Sequence, residues 1–296
     1  MASFNEILSS DEKPALFVGN GINLHGGHKT SSWDDLLKEL SRRQGLTLTK
    51  DERSEMSNTE FFDILDLAHP REERNSLQGE FCDLMQTWQP TVHHQRVTRW
   101  AQRHRRPIIT VNFDENLSRA MDLELFHPSK GFTVYYPWSS YFSNRRVENP
   151  RSDFAIWHAH GMMRYPRSIR LGLTDYMGSV QRARSWVYNR KNSLREKVKS
   201  GDIDWQGSNT WLDIVFFSPI VIFGFTFGKD ENFIRWLFLE RAKLQKIMSD
   251  KPKKIWFVEK RNENSQSRKL FFKRLGVEFI TFNDYPDIYE DAAWEA

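Results

Sequence analysis

A run of apolar residues, Ile108 to Val111, ends abruptly on Asn112 and Asp114, an amide and a carboxylate two positions apart. Two other apolar runs end in a similar way. Ala15 to Val18 runs into Gly19-Asn20-Gly21, and Phe154 to Trp157 runs into His158-Ala159-His160-Gly161. Short, continuously apolar runs bounded by turn residues read as strands buried on both faces. Open α/β sheets bind their ligands at the carboxyl ends of such strands. Three strand ends bearing Gly, Asn, Asp and His therefore point to a nucleotide pocket with catalytic groups in it.

Pro219 to Gly224, Lys254 to Val258 and Val277 to Ile280 read as further strands, with helices over Glu231 to Met248 and around Leu270 to Leu275. Strands alternating with helices predict an α/β fold, a Rossmann-like mostly parallel sheet covered by helices. Residues 1–14 read as a helical arm or frayed terminus. Ser31 and Ser32, with Asp34 and Asp35 three residues on, predict a capped helix start before Trp33. Residues 51–105 hold no strand; Phe61, Phe62, Leu65, Leu77 and Phe81 recur at helical spacing. A short helix is expected over Glu115 to Met121, and an irregular excursion with one hairpin over 122–153. A long polar helical stretch then runs from Tyr176 to about Asp213. The expected organisation is one domain over 1–296, with helical insertions at about 41–106 and 164–217.

A chain of 296 residues buries a sizeable core. No stretch approaches the roughly 20 apolar residues needed to span a bilayer, and Met1 to Pro14 lacks a signal-peptide core. The single cysteine, Cys82, excludes an intrachain disulfide and a cysteine-rich zinc module. Together these lead to the expectation of a cytoplasmic protein. Net charge is +4 and the pI is near 9.0. The basic clusters at Arg103 to Arg106, Arg182 to Lys199 and Lys251 to Lys254 read first as solvated faces and turns. A nucleic-acid surface is the lesser reading, because no such motif is present. The 11 Trp and 22 Phe place some aromatics at interfaces and many in the core.

The loop after the first strand fails the dinucleotide pattern GxGxxG, because Leu24 stands at the third glycine position, and no P-loop lysine follows. Alone, it leaves a nucleotide site and a simple tight turn as equal readings. Asn112 and Asp114 could likewise cap the helix after them. His158 and His160 would share one face if the strand ran through both. His25 and His28 have no cysteine partners and no nearby carboxylate pattern, so no metal is expected. His93 and His94 read as surface or helix-face residues.

Four segments in order carry more than any one of them: Gly19-Asn20-Gly21-Ile22-Asn23, Thr110-Val111-Asn112-Phe113-Asp114, His160-Gly161 and Gly224-Phe225-Thr226-Phe227-Gly228. Together, over roughly residues 15–230, the chain resembles the sirtuin superfamily, in particular the bacterial sirtuin-like NAD-consuming domains of antiphage defence. In the family these segments appear as a Gly-Ala-Gly-Ile-Ser-like loop, a Thr-Gln-Asn-Ile-Asp-like strand end, a His-Gly pair and a Gly-Ser/Tyr-Ser-type loop. Deacylating sirtuins also carry a four-cysteine zinc module and a Pro-Asp-Phe-Arg segment, and this chain has neither.

The resemblance thus implies an NAD glycohydrolase yielding nicotinamide and ADP-ribose, as the NAD-depleting effector of a defence system. By the same resemblance NAD is substrate; beside it stand the expectations from the residues that no metal or membrane is involved, and nucleic acid is not required for catalysis. Activity is expected to be gated by homo-oligomerisation or by a partner such as an ATPase or sensor, with the long basic and aromatic insert at 164–217 as a contact surface. Asn112 is implied at the ribose or the attacking water, Asp114 at the nicotinamide carboxamide, and His160 as general base. Gly19, Asn20, Gly21 and Asn23 are implied at the phosphates and adjacent ribose, and Gly224, Thr226 and Phe227 at the adenosine side. His158 is implied as a supporting or core histidine, and Asp175-Tyr176 as an anchor for the insert. The alternative is a non-catalytic regulatory subunit that senses NAD or ADP-ribose.

Overall fold

The computed structural model describes residues 4–25, 27, 32–69, 76–128, 136–189, 191–202, 204–228, 230–248, 252–261 and 266–295. His28, Ser31 and Lys251, named above, lie outside them. Eight short strands form: β1 (Ala15–Val18), β2 (Ile108–Thr110), β3 (Glu124–Phe126), β4 (Tyr141–Ser143), β5 (Ile156–His158), β6 (Ile220–Phe223), β7 (Ile255–Lys260) and β8 (Val277–Phe282). The helices are α1 (Phe4–Leu8), α2 (Gly21–His25), α3 (Trp33–Arg43), α4 (Lys50–Glu55), α5 (Asn58–Ala68), α6 (Leu77–Asp83) and α7 (Val92–Arg103). They continue with α8 (Asn116–Arg119), α9 (Leu173–Arg184), α10 (Leu194–Lys199), α11 (Trp211–Phe217), α12 (Asn232–Gln245), α13 (Gln266–Arg274) and α14 (Pro286–Tyr289). Among the described residues no helix is long and apolar enough to cross a membrane.

One sheet runs β3-β4-β5-β2-β1-β6-β7-β8. From β5 to β8 every pairing is parallel, whereas β3–β4 and β4–β5 are antiparallel. The hairpin expected within 122–153 is the β3–β4 pair. Numbered along the chain, the six parallel strands lie in the order 3-2-1-4-5-6, the doubly wound Rossmann arrangement. Chain direction across the sheet reverses between β1 and β6. Doubly wound sheets bind their ligands at the carboxyl edge beside such a switch point.

Successive strand residues point to opposite faces, and both faces are buried. Ala15, Phe17, Ile109, Ile220 and Ile222 join one core with α11, α12 and α13. Leu16, Val18, Ile108, Val221 and Phe223 join the other, with α1, α7 and the C-terminal turn around Trp294. Residues 4–8 are a docked helix rather than a frayed arm: the Phe4 ring lies 5.2 Å from that of Trp294 and 5.6 Å from that of Phe282. A third core unites α3, α5 and α6 with Phe113, Ile169 and Leu171, and sets that helical layer over the end of β2. Ser32 caps α3 by accepting from Asp35 N at 3.1 Å.

The insert expected as an aromatic contact surface is corrected for its tryptophans. Trp186, Trp205 and Trp211 are buried, and Trp138 stacks on Trp211 at 6.0 Å and meets Trp186 edge-on at 4.9 Å. The cause is α11, which is buried along its whole length in the core that also holds Trp157, Ile220 and Ile222, and draws these rings inward. The basic residues Arg182, Arg184 and Lys199 stay exposed, as charge runs ordinarily do.

Asp213, in α11, is the most consequential ionisable group of that core. Burial pushes its carboxyl up to about 6, against the opposing pull of Arg151 and of the Trp205 indole N–H that donates to it at 2.8 Å. A folded-state value above the unfolded one means the folded chain holds the proton more tightly. Its stability contribution is therefore greatest below about pH 4 and is lost as pH rises through about 6. Between pH 7.5 and pH 5 the wild type is expected to gain on the order of 1 kcal/mol relative to Asp213→Asn. Urea unfolding of both proteins at the two pH values measures this, and parallel pH dependences would contradict it.

Candidate active site

The carboxyl ends of β1, β2, β6 and β7 open into one cavity of about 840 Å3, within the rough range of small-molecule sites. Asn20, Gly21, Asn112, Asp114, His160, Gly224 and Thr226 line it; Gly19, Asn23 and Phe227 do not.

Strand β2 stops at Thr110, earlier than the apolar run suggested. Thr110 Oγ1 donates to Val18 O at 2.9 Å and accepts from Asn112 N at 3.1 Å, so the hydroxyl turns the chain where the ladder would continue. From the other side His158 Nδ1 meets Asn112 O at 2.9 Å. A carbonyl only accepts, so Nδ1 carries the hydrogen. Burial lowers the His158 pKa, which keeps this ring neutral. The Asn112 backbone is thus clamped by both neighbouring strands. Among the described residues the one hydrogen bond of its side chain, at the cavity wall, is a long 3.4 Å bond from Nδ2 to Gly19 O.

Asp114 lines the cavity and also bonds locally where the chain turns into α8, whose N-cap is Glu115. Oδ1 accepts from Asn116 N at 3.0 Å in a local turn at the start of α8, and Oδ2 accepts from Asn23 Nδ2 at 2.7 Å. Burial raises its pKa, and these two hydrogen bonds act in the opposite sense. Asn23 itself is fully buried. Its amide also donates to Asn20 Oδ1 at 2.8 Å, and its oxygen accepts from His94 Nε2 at 3.0 Å and Asn116 Nδ2 at 3.2 Å. Both amide hydrogens and both lone pairs are used, so Asn23 positions Asn20 and Asp114 and does not face the cavity.

His94 corrects the surface reading given to it: it is fully buried. Thr91 N donates to His94 Nδ1 at 3.1 Å, which leaves the hydrogen on Nε2 and fixes the tautomer that serves Asn23. The spacing Thr91-x-x-His94, a helix-capping pattern, was the available signal.

His158 and His160 do not share a face. Strand β5 ends at His158, the chain turns, and Gly161 takes φ +93°. His160 is carried past the strand end into the cavity wall, where its Nε2 lies 2.8 Å from Glu231 Oε2 and the Tyr176 ring packs edge-on at 5.3 Å. Asp175 Oδ2 accepts from Leu171 N and Gly172 N at 3.3 Å each and anchors the start of α9. Glu231, at the start of α12, is a site residue that motif reading missed. A carboxylate held against an imidazole fixes the ring's orientation, and the other ring nitrogen, Nδ1, lies 3.2 Å from Ala159 O.

The glycines serve close approach between chain segments. A Cβ on Gly19 would lie 2.6 Å from Phe225 Cβ, and one on Gly21 would lie 2.7 Å from Gly224 Cα and 2.8 Å from Tyr289 Oη. The loops after β1 and β6 therefore pack backbone to backbone across the switch point. Phe227, with φ +52°, turns inward against Phe225, Phe238 and Phe272, a core position. At the far end of the cavity Arg268 donates to Thr226 O at 2.8 Å and approaches Glu259 at 3.3 Å.

A family profile described as SIR2-like domain matches residues 106–280, from just before β2 into β8. The match includes Asn112, Asp114, His160, Gly224 and Glu231 and leaves out β1 and its loop. No match is found among curated proteins.

Proposed function

The chain belongs to the SIR2-like domain family, and from that premise we propose that its cavity cleaves NAD between nicotinamide and ribose, as an NAD glycohydrolase. One observation carries the reading: Asn112 and the His160–Glu231 pair line the same switch-point cavity. Breaking the glycosidic bond sends its electron pair to the pyridinium nitrogen, so nicotinamide leaves neutral. Positive charge passes to the ribose, which acquires oxocarbenium character. Water adds to the anomeric carbon and gives up a proton. In this reading Asn112 holds the ribose or the incoming water, and His160 serves as general base together with Glu231, the hydrogen-bonded pair taking the proton. Asp114 orients the carboxamide, while Asn20 and Gly21 lie along the phosphates and Gly224 and Thr226 along the adenosine. Gly19, Asn23 and Phe227 set the shape of these loops.

The absence of a four-cysteine zinc module supports hydrolysis over deacylation. Unrestrained NAD loss would kill the producing cell, so the reading includes cytoplasmic action as a defence effector and a gate supplied by self-assembly or a partner protein. Chromatographic assay of nicotinamide after incubation with NAD, with and without the products of neighbouring genes, tests the proposal. Glu231→Gln is expected to lower kcat roughly 10- to 100-fold with KM changed less than about threefold. A change confined to KM would remove Glu231 from its positioning role.

A further inference from the structure

His25 at the end of α2, His93 in the first turn of α7 and Glu290 just after α14 converge beside the cavity, which His25 lines. Their ligand atoms all lie within 4.8 Å of one another, and His25 Nε2 is 3.1 Å from Glu290 Oε1. The two imidazole rings are 4.6 Å apart, and both flank the ring of Tyr289, at 5.0 and 6.3 Å. His93 Nδ1 is shielded from solvent and makes no hydrogen bond of normal geometry among the described residues. Among those residues, no other three His, Cys, Asp or Glu side chains converge this closely.

We propose that His25, His93 and Glu290 bind a divalent transition-metal ion of the zinc class. Two imidazoles and one carboxylate form a three-ligand set that leaves a fourth tetrahedral position for water or a ligand atom. Nitrogen donors select such an ion over Mg2+ and Ca2+, which take oxygen ligands. Ligand atoms about 2.0–2.2 Å from a tetrahedral metal stand about 3.4 Å apart. The His25–Glu290 pair already has that spacing, and the Glu290 side chain, 51% exposed, is free to adjust to His93. All three residues lie outside the stretch the family profile matches. The ion would tie α2, which carries Gly21 to the cavity, to α7 and the C-terminal segment. This inference goes beyond the NAD reading and does not depend on it.

The test uses the full chain stripped with a chelator and titrated with zinc chloride by calorimetry, and melted with and without zinc. One zinc per chain is expected, with several degrees of thermal stabilisation. His93→Ala and Glu290→Gln are each expected to weaken binding at least about tenfold and to abolish the stabilisation. Glu290→Gln changes an exposed side chain, so the test stands even if His93→Ala fails to fold. Stabilisation by magnesium chloride equal to that by zinc would overturn the assignment to a zinc-class ion. A plain His25–Glu290 hydrogen bond predicts no stoichiometric zinc binding, and that result overturns the proposal. Wild-type affinity in both variants, which would put the ion elsewhere, overturns it as well.

Discussion

Asn112→Ala is expected to lower nicotinamide release from NAD by about 100- to 1,000-fold while the protein stays folded. The rate loss is the scale seen when one preorganised polar group at a reacting centre is removed. The stability cost is small because, among the described residues, the side chain makes one long hydrogen bond, to Gly19 O. The bonds that shape the turn belong to the Asn112 backbone and survive the change. The lost contact is worth about 1 kcal/mol. Chromatography gives the rate and urea unfolding gives the stability. A rate within tenfold of wild type would remove Asn112 from the chemistry.

Gly161→Ala is expected to cost about 3 kcal/mol or more, and with it the activity. Gly161 has φ +93°, where an L side chain is strained. A Cβ there would overlap the carbonyl group of Ser168 and lie 2.7 Å from Ile169 Cα, all of it backbone. That strand of contacts is fastened by Arg170 N donating to His160 O at 2.9 Å and Met162 N to Ser168 Oγ at 3.0 Å. The segment cannot yield without moving His160. Gly178 in α9 is the control: a Cβ there meets nothing within 4 Å, and Gly178→Ala is expected to be neutral or stabilising by up to about 1 kcal/mol. Thermal melts of both variants separate local strain from a general intolerance of substitution. Equal melting temperatures would contradict the steric account.

The strand ends were legible because burial on both faces writes continuous apolar runs, and the loops after them must turn. Asn112 and His160 could be placed at the sheet's carboxyl edge on that basis. The partners of these groups were not legible. Glu231 reaches His160 from 71 residues away, and His94 reaches Asn23 across the same separation, both through helix packing that no local pattern encodes. The exact stop of β2 depended on one hydroxyl, that of Thr110, bonding back to Val18 O. Likewise, Gly19 and Gly21 announced a tight loop, but only the sheet order shows that their missing side chains admit the loop after β6. The tryptophans of the insert misled for a related reason, since α11 is apolar apart from Asp213 and buries its whole surface.

The most direct test of the account follows NAD by proton NMR with the purified chain, alone and with its gene neighbours, against His160→Ala. The account predicts nicotinamide and ADP-ribose appearing in equal amounts with the wild type, and loss of at least about 100-fold in the variant. A folded wild type that binds NAD and leaves it intact in every arm, as His160→Ala does, would contradict it.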